Sequence, residues 1–87
     1  MYELRYAKSV DKELRKLAKN KSFAGIINKI QQLANEPKPK GSIKIKGSED
    51  MYRLRSGDYR IIYSIQDLQL VVLVIRVGHR KDIYDNL

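Results

Sequence analysis

Arginine recurs through residues 51–84 with a spacing that suits phosphate binding. Arg53 and Arg55 lie two residues apart, Arg60 follows a short polar turn, and Arg80 comes soon after a glycine. A guanidinium group stays charged at biological pH and matches phosphate oxygens with two parallel hydrogen bonds. A convergent set of such groups would stabilise the added negative charge of a phosphoryl transition state. The alternative is that these arginines form surface ion pairs with nearby carboxylates and add little stability.

Two other side chains near the end of the chain are candidates for chemistry. His79 is the single histidine, so a two-histidine acid–base nuclease and a histidine-rich zinc site are excluded. His79 is either a solvated loop residue or a titrating group near a substrate. Tyr84 is either a tail aromatic that packs against the domain or a ring for base stacking or proton transfer. The aspartates are scattered near turns and the tail, without the pairing that suggests a two-metal nuclease.

Three predicted strands carry the arginines. Tyrosines and β-branched residues bounded by short polar turns are typical of an antiparallel meander. The predicted strands are residues 51–55, 59–65 and 70–77, with turns at 56–58 and 66–69. Alternation along a strand places Arg53 and Arg55 on one face, and Arg60 on the face of its strand opposite Tyr59. The arginines can therefore converge on one surface, provided that the strand register brings them together.

The chain before the meander predicts one strand and two helices. Residues 2–6 alternate apolar and charged side chains, as a short half-buried strand does. Ser9 and Ser22 are the predicted N-caps of the helices, and Pro37 and Pro39 end the second one. Each helix has one apolar stripe; the stripes are Val10, Leu14, Leu17 and Ala18, then Phe23, Ile26, Ile27, Ile30, Leu33 and Ala34. The fold class expected is α+β, with an N-terminal strand and a two-helix hairpin packed on an antiparallel three- to four-stranded sheet.

Length, composition and charge narrow the class of protein. The 87 residues form a single domain, 1–87. The absence of cysteine excludes disulfides and thiolate metal sites. The longest aliphatic run has six residues, 70–75, far short of the roughly 20 needed to cross a bilayer, and we expect a cytoplasmic protein. The net charge of +8 favours a polyanionic or acidic partner. Lysines also fill the loop 38–47, as phosphate contacts or as a solvated edge.

Two motifs within the meander resemble a known family. Residues 52–63 read Tyr-Arg-Leu-Arg-Ser-Gly-Asp-Tyr-Arg-Ile-Ile-Tyr, and residues 71–84 read Val-Val-Leu-Val-Ile-Arg-Val-Gly-His-Arg-Lys-Asp-Ile-Tyr. They strongly resemble the RelE/ParE superfamily of toxin–antitoxin toxins, specifically its RelE side, and the resemblance covers essentially the whole chain. It implies a RelE-like toxin that is a ribosome-dependent mRNA endonuclease, or mRNA interferase. Such an enzyme cleaves mRNA in the ribosomal A site by attack of the ribose 2′-hydroxyl on the adjacent phosphate, with no metal and no cofactor.

The resemblance also implies a role for each candidate residue. Arg53 and Arg55 fall where the family has basic residues that contact the substrate and assist the 2′-hydroxyl. Arg60 falls on the arginine that stabilises the phosphate, Arg80 on a basic residue near the leaving 5′-oxygen, and Tyr84 on a tyrosine that stacks on or orients the base.

His79 falls at a position that varies between lysine and histidine. Some members have lysines where this chain has Arg53 and Arg55, and arginine is a poor general base because it keeps its proton. His79 is therefore expected to carry more of the proton transfer, if any side chain does.

The partners implied by the resemblance are a cognate antitoxin, the ribosome with its rRNA, and mRNA. An acidic, amphipathic segment of the antitoxin would wrap the toxin, and the toxin–antitoxin complex would bind operator DNA through the antitoxin. No membrane is involved. Two alternatives stay open: a ParE-like toxin of the same fold that poisons DNA gyrase, and a catalytically inactive member.

Overall fold

The computed structural model describes residues 1–83, and Tyr84 lies outside the described residues. Five strands and two helices follow one another along these residues. They are β1 (Glu3–Tyr6), α1 (Lys8–Leu17), α2 (Phe23–Gln32), β2 (Ile43–Lys44), β3 (Met51–Ser56), β4 (Tyr59–Gln66) and β5 (Val71–His79). Neither helix is long and apolar enough to cross a membrane.

The strands form one mixed sheet in the order β1-β5-β4-β3-β2. The β3–β4–β5 meander is antiparallel, as the sequence predicts, and the α+β class is confirmed. The sheet is larger than the three to four antiparallel strands expected. β1 pairs with β5 in parallel, and both helices and three strands lie between them in the chain. The lysine-rich loop contributes only two paired residues, Ile43 and Lys44, at the other edge.

Both helices pack on one face of the sheet, which we call the helix face. α1 lies over β5, and α2 lies over β3 and β4. The apolar residues of the two stripes that face inward are buried together with alternate residues of the strands, as period-3.6 and period-2 patterns require. The buried members of this core are Val10, Ile26, Ile30, Leu33, Leu54, Ile61, Tyr63, Ile65, Val72, Val74 and Val77.

The predicted N-cap of α1 is wrong, and the predicted N-cap of α2 has the right residue without the expected hydrogen bond. Ser9 lies inside α1, whose N-cap is Ala7, and its hydroxyl donates a long hydrogen bond of 3.4 Å to the Ile75 carbonyl. Ser22 does occupy the N-cap of α2, but its side chain makes no capping bond. Instead its amide donates to Oδ1 of Asn20 at 2.8 Å. The side chain of Asn20 therefore accepts a backbone amide hydrogen bond at the start of α2, a role that we expected the Ser22 hydroxyl to have.

The opposite face of the sheet, which we call the open face, has a smaller apolar cluster of its own. Ile45, Ile62 and Ile83 are buried there, with Met51 and Ile75 packed around them. Ile83 belongs to the segment that follows β5, so the chain folds back across the open face after the last strand. This small core fixes the end of β5 relative to β4.

Tyr63 is the largest fully buried side chain and anchors the segment after α2 to the sheet. Its ring stacks on that of Tyr52 with 5.9 Å between centroids, and its hydroxyl donates to the Pro37 carbonyl at 2.7 Å. Burial disfavours the phenolate and raises the pKa of Tyr63 to about 12.

We expect Tyr63→Phe to lose about 1 kcal/mol of unfolding free energy at pH 7, because one hydrogen bond is removed. The folded-state pKa of Tyr63 lies above the unfolded value near 10, so its contribution is present below pH 10 and is lost as the pH rises towards 12. The difference between wild type and Tyr63→Phe should therefore shrink over that range. Denaturant titrations from pH 8 to 11.5 measure it, with Tyr6→Phe, at a 43% exposed position, as the control. A difference that stays constant would contradict the assignment.

Candidate phosphate-binding surface

Three of the predicted arginines lie on the open face of the sheet. In the β3–β4 ladder Arg55 is directly opposite Arg60, and Arg53 is opposite Ile62, which is buried in the open-face cluster. Cross-strand partners project from the same face with Cα atoms about 4.5–5.5 Å apart. We call Arg53, Arg55 and Arg60 the arginine surface. The alternation predicted from the sequence and the register of the structure agree on this surface.

The pairing of Arg55 with Arg60 has an energetic consequence. Like charges directly opposite each other on neighbouring strands destabilise a sheet. Arg55 is exposed, whereas Arg60 is half-buried, and Nη1 of Arg60 donates to the Ile83 carbonyl at 3.1 Å. A bound polyanion would turn the repulsion into attraction.

Arg80 lies at the same end of the sheet as Arg55 and Arg60. Its backbone amide donates to the Asp58 carbonyl at 2.8 Å, which continues the β4–β5 ladder one step beyond β5. Gly78, two residues earlier, is the cross-strand partner of Arg60. The Arg80 side chain is exposed in the turn that follows. The structure thus brings Arg55, Arg60 and Arg80 to one end of β3, β4 and β5. Arg53 lies two residues before Arg55 on the open face, opposite the middle of β4.

Gly78 is required by the packing of Ile83. A Cβ atom on Gly78 would lie 2.9 Å from Cγ1 and 3.0 Å from Cδ1 of Ile83, closer than real contacts allow. Ile83 is only 1% exposed, and its carbonyl accepts the hydrogen bond from Arg60. Glycine therefore lets the chain fold back so that the isoleucine covers the sheet and its backbone holds the guanidinium. Sequence reasoning missed Ile83, although it is the one apolar residue in the charged stretch 79–83.

His79 is not brought together with the arginine surface. Its cross-strand partner is Tyr59, which packs against the core on the helix face. The two rings meet edge-on with 5.4 Å between centroids. Both line a cavity of about 390 Å³ between α1 and the end of β5, together with Lys16, Leu17 and Asp82 among others. His79 therefore lies on the opposite side of the sheet from Arg53, Arg55 and Arg60.

Glu13 of α1 holds the part of β5 that has β4 on one side and no strand on the other. β1 pairs only as far as Val74, and beyond that point Oε1 of Glu13 accepts the Val77 amide at 2.9 Å. Oε2 forms an ion pair with Nε of Arg76 at 3.2 Å. The carboxylate thus takes the place of a missing strand and satisfies the edge of the sheet just before Gly78.

Tyr84 lies outside the described residues, so its predicted role as a stacking ring stays a prediction. The backbone of Ile83, which precedes it, is held by two hydrogen bonds. Its carbonyl accepts from Arg60, and its amide donates to the His79 carbonyl at 3.2 Å.

The geometry defines a class of small α+β protein with a cationic sheet face directed away from its helices. The family model described as "ParE toxin of type II toxin-antitoxin system, parDE" matches residues 4–84. Toxin RelG of Mycobacterium tuberculosis is 30% identical over 95% of this chain and 95% of its own length. The mRNA interferase toxin RelE of Escherichia coli K12 is 36% identical over 61% of this chain and 57% of its own.

A solved structure has the same fold. The archaeal RelE–RelB complex from Pyrococcus horikoshii matches with a TM-score of 0.79 and 30% identity, over 94% of this chain and 98% of that one. The chain belongs to the RelE/ParE superfamily of toxins of type II toxin–antitoxin systems. This confirms the family resemblance found in the sequence.

Proposed function

We propose that this toxin is a ribosome-dependent mRNA endonuclease, an mRNA interferase, that acts on mRNA in the ribosomal A site. The observation that carries the proposal is the pair of arginines placed directly opposite each other on the open face, with Arg53 beside them and Arg80 at the same end of the sheet. Such a surface suits the backbone of a nucleic acid, because its phosphates are attracted to clustered positive charge. The relative named mRNA interferase toxin RelE supports the same activity.

The proposed reaction uses the nucleophile that RNA itself carries. The ribose 2′-oxygen attacks the adjacent phosphorus and loses its proton, while the bond from phosphorus to the 5′-oxygen breaks and that oxygen gains a proton. The products are a 2′,3′-cyclic phosphate, or the 3′-phosphate after its opening, and a 5′-hydroxyl. The protein contributes orientation and charge stabilisation, and it supplies no nucleophile.

The arginines have distinct parts in this proposal. Arg53 and Arg55 hold the RNA backbone beside the 2′-hydroxyl. Arg60, whose position is fixed by the Ile83 carbonyl, stabilises the charge that develops on the phosphoryl oxygens. Arg80 lies near the leaving 5′-oxygen, and Tyr84 stacks on the substrate base. Arginine keeps its proton throughout, so these side chains act through charge and hydrogen bonds.

The net charge of the chain and its family support two kinds of partner, the ribosome and an antitoxin. The net charge of +8 suits both rRNA and an acidic antitoxin segment, and association with either should be fast and salt-sensitive. The Pyrococcus horikoshii structure is a complex of RelE with RelB, which supports a cognate antitoxin for this toxin. In the proposal the antitoxin also carries the complex to operator DNA, and the toxin acts in the cytoplasm, where ribosomes are.

Cleavage of mRNA on translating ribosomes tests the proposal. We expect purified toxin to produce cuts at fixed positions within codons, mapped by primer extension, and no cuts in the same RNA without ribosomes. Growth arrest on induction should be relieved by co-expression of the antitoxin. Folded toxin that leaves ribosome-bound mRNA intact would contradict the endonuclease assignment.

A second candidate is a ParE-like toxin that poisons DNA gyrase, because the matching family model is described as a ParE toxin. A supercoiling assay separates the two candidates: the endonuclease should not inhibit gyrase at concentrations that cleave mRNA. An inactive, purely binding member would show neither activity, and Arg60→Ala would then leave growth unchanged.

A further inference from the structure

The turn that carries Arg80 is organised around His79. Four consecutive backbone amides follow this residue, and each has an acceptor. The Arg80 amide donates to the Asp58 carbonyl at 2.8 Å, whereas those of Asp82 and Ile83 donate to the His79 carbonyl at 2.8 and 3.2 Å. The Lys81 amide donates to Nδ1 of the His79 ring at 3.1 Å. Of the three acceptors, only the imidazole is a side chain.

The His79 ring is fixed from the helix face. It meets the Tyr59 ring edge-on, and the Tyr59 hydroxyl accepts a hydrogen bond of 2.9 Å from Nδ2 of Asn20, in the turn between the helices. An aromatic contact of this kind and a hydrogen bond together hold the ring in one orientation. Nδ1 is thereby aimed at the Lys81 amide, on the side of the sheet away from the arginine surface.

The same turn reaches the open face through its last residue. Ile83 packs on Gly78, and its carbonyl accepts the hydrogen bond from Arg60. A continuous set of contacts therefore runs from Tyr59 on the helix face, through the His79 ring and the turn, to the guanidinium of Arg60. The backbone of Arg80 lies within it.

We infer that His79 is a positioning residue, which holds the 79–83 turn so that Arg80 and Arg60 are correctly placed, and that it does not transfer a proton. This inference rests on the proposed endonuclease function, because its effect on activity is measured as mRNA cleavage. It differs from the expectation drawn from the sequence, in which the imidazole takes part in the chemistry. The requirement at position 79 is an acceptor that reaches the amide two residues later.

Because of this requirement, one substitution can separate positioning of the turn from proton transfer. Asparagine accepts from the amide two residues on, as it does in Asx-turns, but it has no group that can act as a general acid or base. Phenylalanine keeps a ring against Tyr59 and offers no acceptor. We expect His79→Asn to cleave ribosome-bound mRNA within about threefold of the wild-type rate, and His79→Phe to be slower by about tenfold, the effect of one lost positioning hydrogen bond.

Amide hydrogen exchange measured by NMR gives an independent readout. The Lys81 amide should exchange slowly in wild type and in His79→Asn, and about tenfold faster in His79→Phe. Single-turnover cleavage should show the loss in His79→Phe in the rate of the chemical step, with ribosome binding unchanged. The phenylalanine variant should keep its thermal stability to within a few degrees, because its ring still packs on Tyr59.

Two results would overturn the inference. Equal loss of cleavage in both variants, with the Lys81 amide still protected in His79→Asn, would mean that the imidazole itself does chemistry. Fast exchange of the Lys81 amide in wild type would mean that the turn is not held by the ring. If wild-type protein cleaves no mRNA, the proposed function fails, whereas the exchange rates still decide whether His79 positions the turn.

Discussion

Replacement of Arg60 by alanine is expected to lower the rate of ribosome-dependent mRNA cleavage by about 10²–10³-fold, the effect of removing one charge stabiliser from an active site. Arg60 is half-buried, and its guanidinium is held at the Ile83 carbonyl. A charge fixed in advance needs no reorganisation when the phosphoryl group gains charge. The loss should appear in the rate at saturating ribosomes, measured by primer extension over time.

Two further variants separate this effect from other causes. Arg60→Lys keeps the charge but loses the planar fork, so it should recover only part of the lost rate. Arg15→Ala removes an exposed arginine of α1, whose Nε makes only a long bond of 3.4 Å to the Asp11 carbonyl, and should stay within about twofold of wild type because that bond contributes little. Thermal denaturation checks that each variant is folded. Equal rates for folded Arg60→Ala and wild type would remove Arg60 from the catalytic site.

The arginine surface could be predicted from the sequence because it depends on local alternation. Arg53 and Arg55 are two apart on one strand, and Arg60 occurs soon after a tight turn, so few registers are possible. Gly57, with φ of 59°, makes that turn and aligns Arg55 directly with Arg60. The hydrophobic stripes of the helices were also predictable, because each follows the 3.6-residue period of a single helix.

The position of His79 could not be predicted, because a β-bulge reverses the alternation of β5. The register shifts at Ile62 and Tyr63, which pair with Arg76 and Val74, so that Ile75 is an extra residue. Strict alternation from Val74 would place His79 on the open face with the arginines. The bulge instead places it opposite Tyr59 on the helix face. A bulge has no distinct signature in this run of aliphatic residues.

Long-range packing was the other feature beyond the reach of the sequence. The reason for a glycine at position 78 depends on where the chain goes after β5. Only the structure shows that Ile83 returns onto Gly78 and into the open-face cluster. Similarly, the parallel pairing of β1 with β5 is a contact between segments at opposite ends of the chain. Such contacts are selected by the global packing of the core and leave no local pattern.

The packing of Ile83 leads to the second large expected effect. Ile83→Ala should lower the free energy of unfolding by about 2–5 kcal/mol, since a fully buried isoleucine is removed and a cavity is left over Gly78. A domain of this size has only about 5–15 kcal/mol of stability in all. Chemical denaturation at pH 7 measures the change. Ile43→Ala is the matched control, because this isoleucine of β2 is 52% exposed and its truncation should cost less than about 1 kcal/mol.

The same substitution tests whether stability and catalysis are joined at this residue. The carbonyl that accepts from Arg60 belongs to Ile83, so loss of the side chain should free the backbone that holds the guanidinium. Cleavage by Ile83→Ala, assayed well below its melting temperature, should therefore fall by about tenfold or more, as expected when a catalytic group is displaced by a fraction of an ångström. Ile43→Ala should cleave at the wild-type rate. A destabilised Ile83→Ala variant that cleaves normally would show that Arg60 is placed by other contacts, and that Ile83 serves the fold alone.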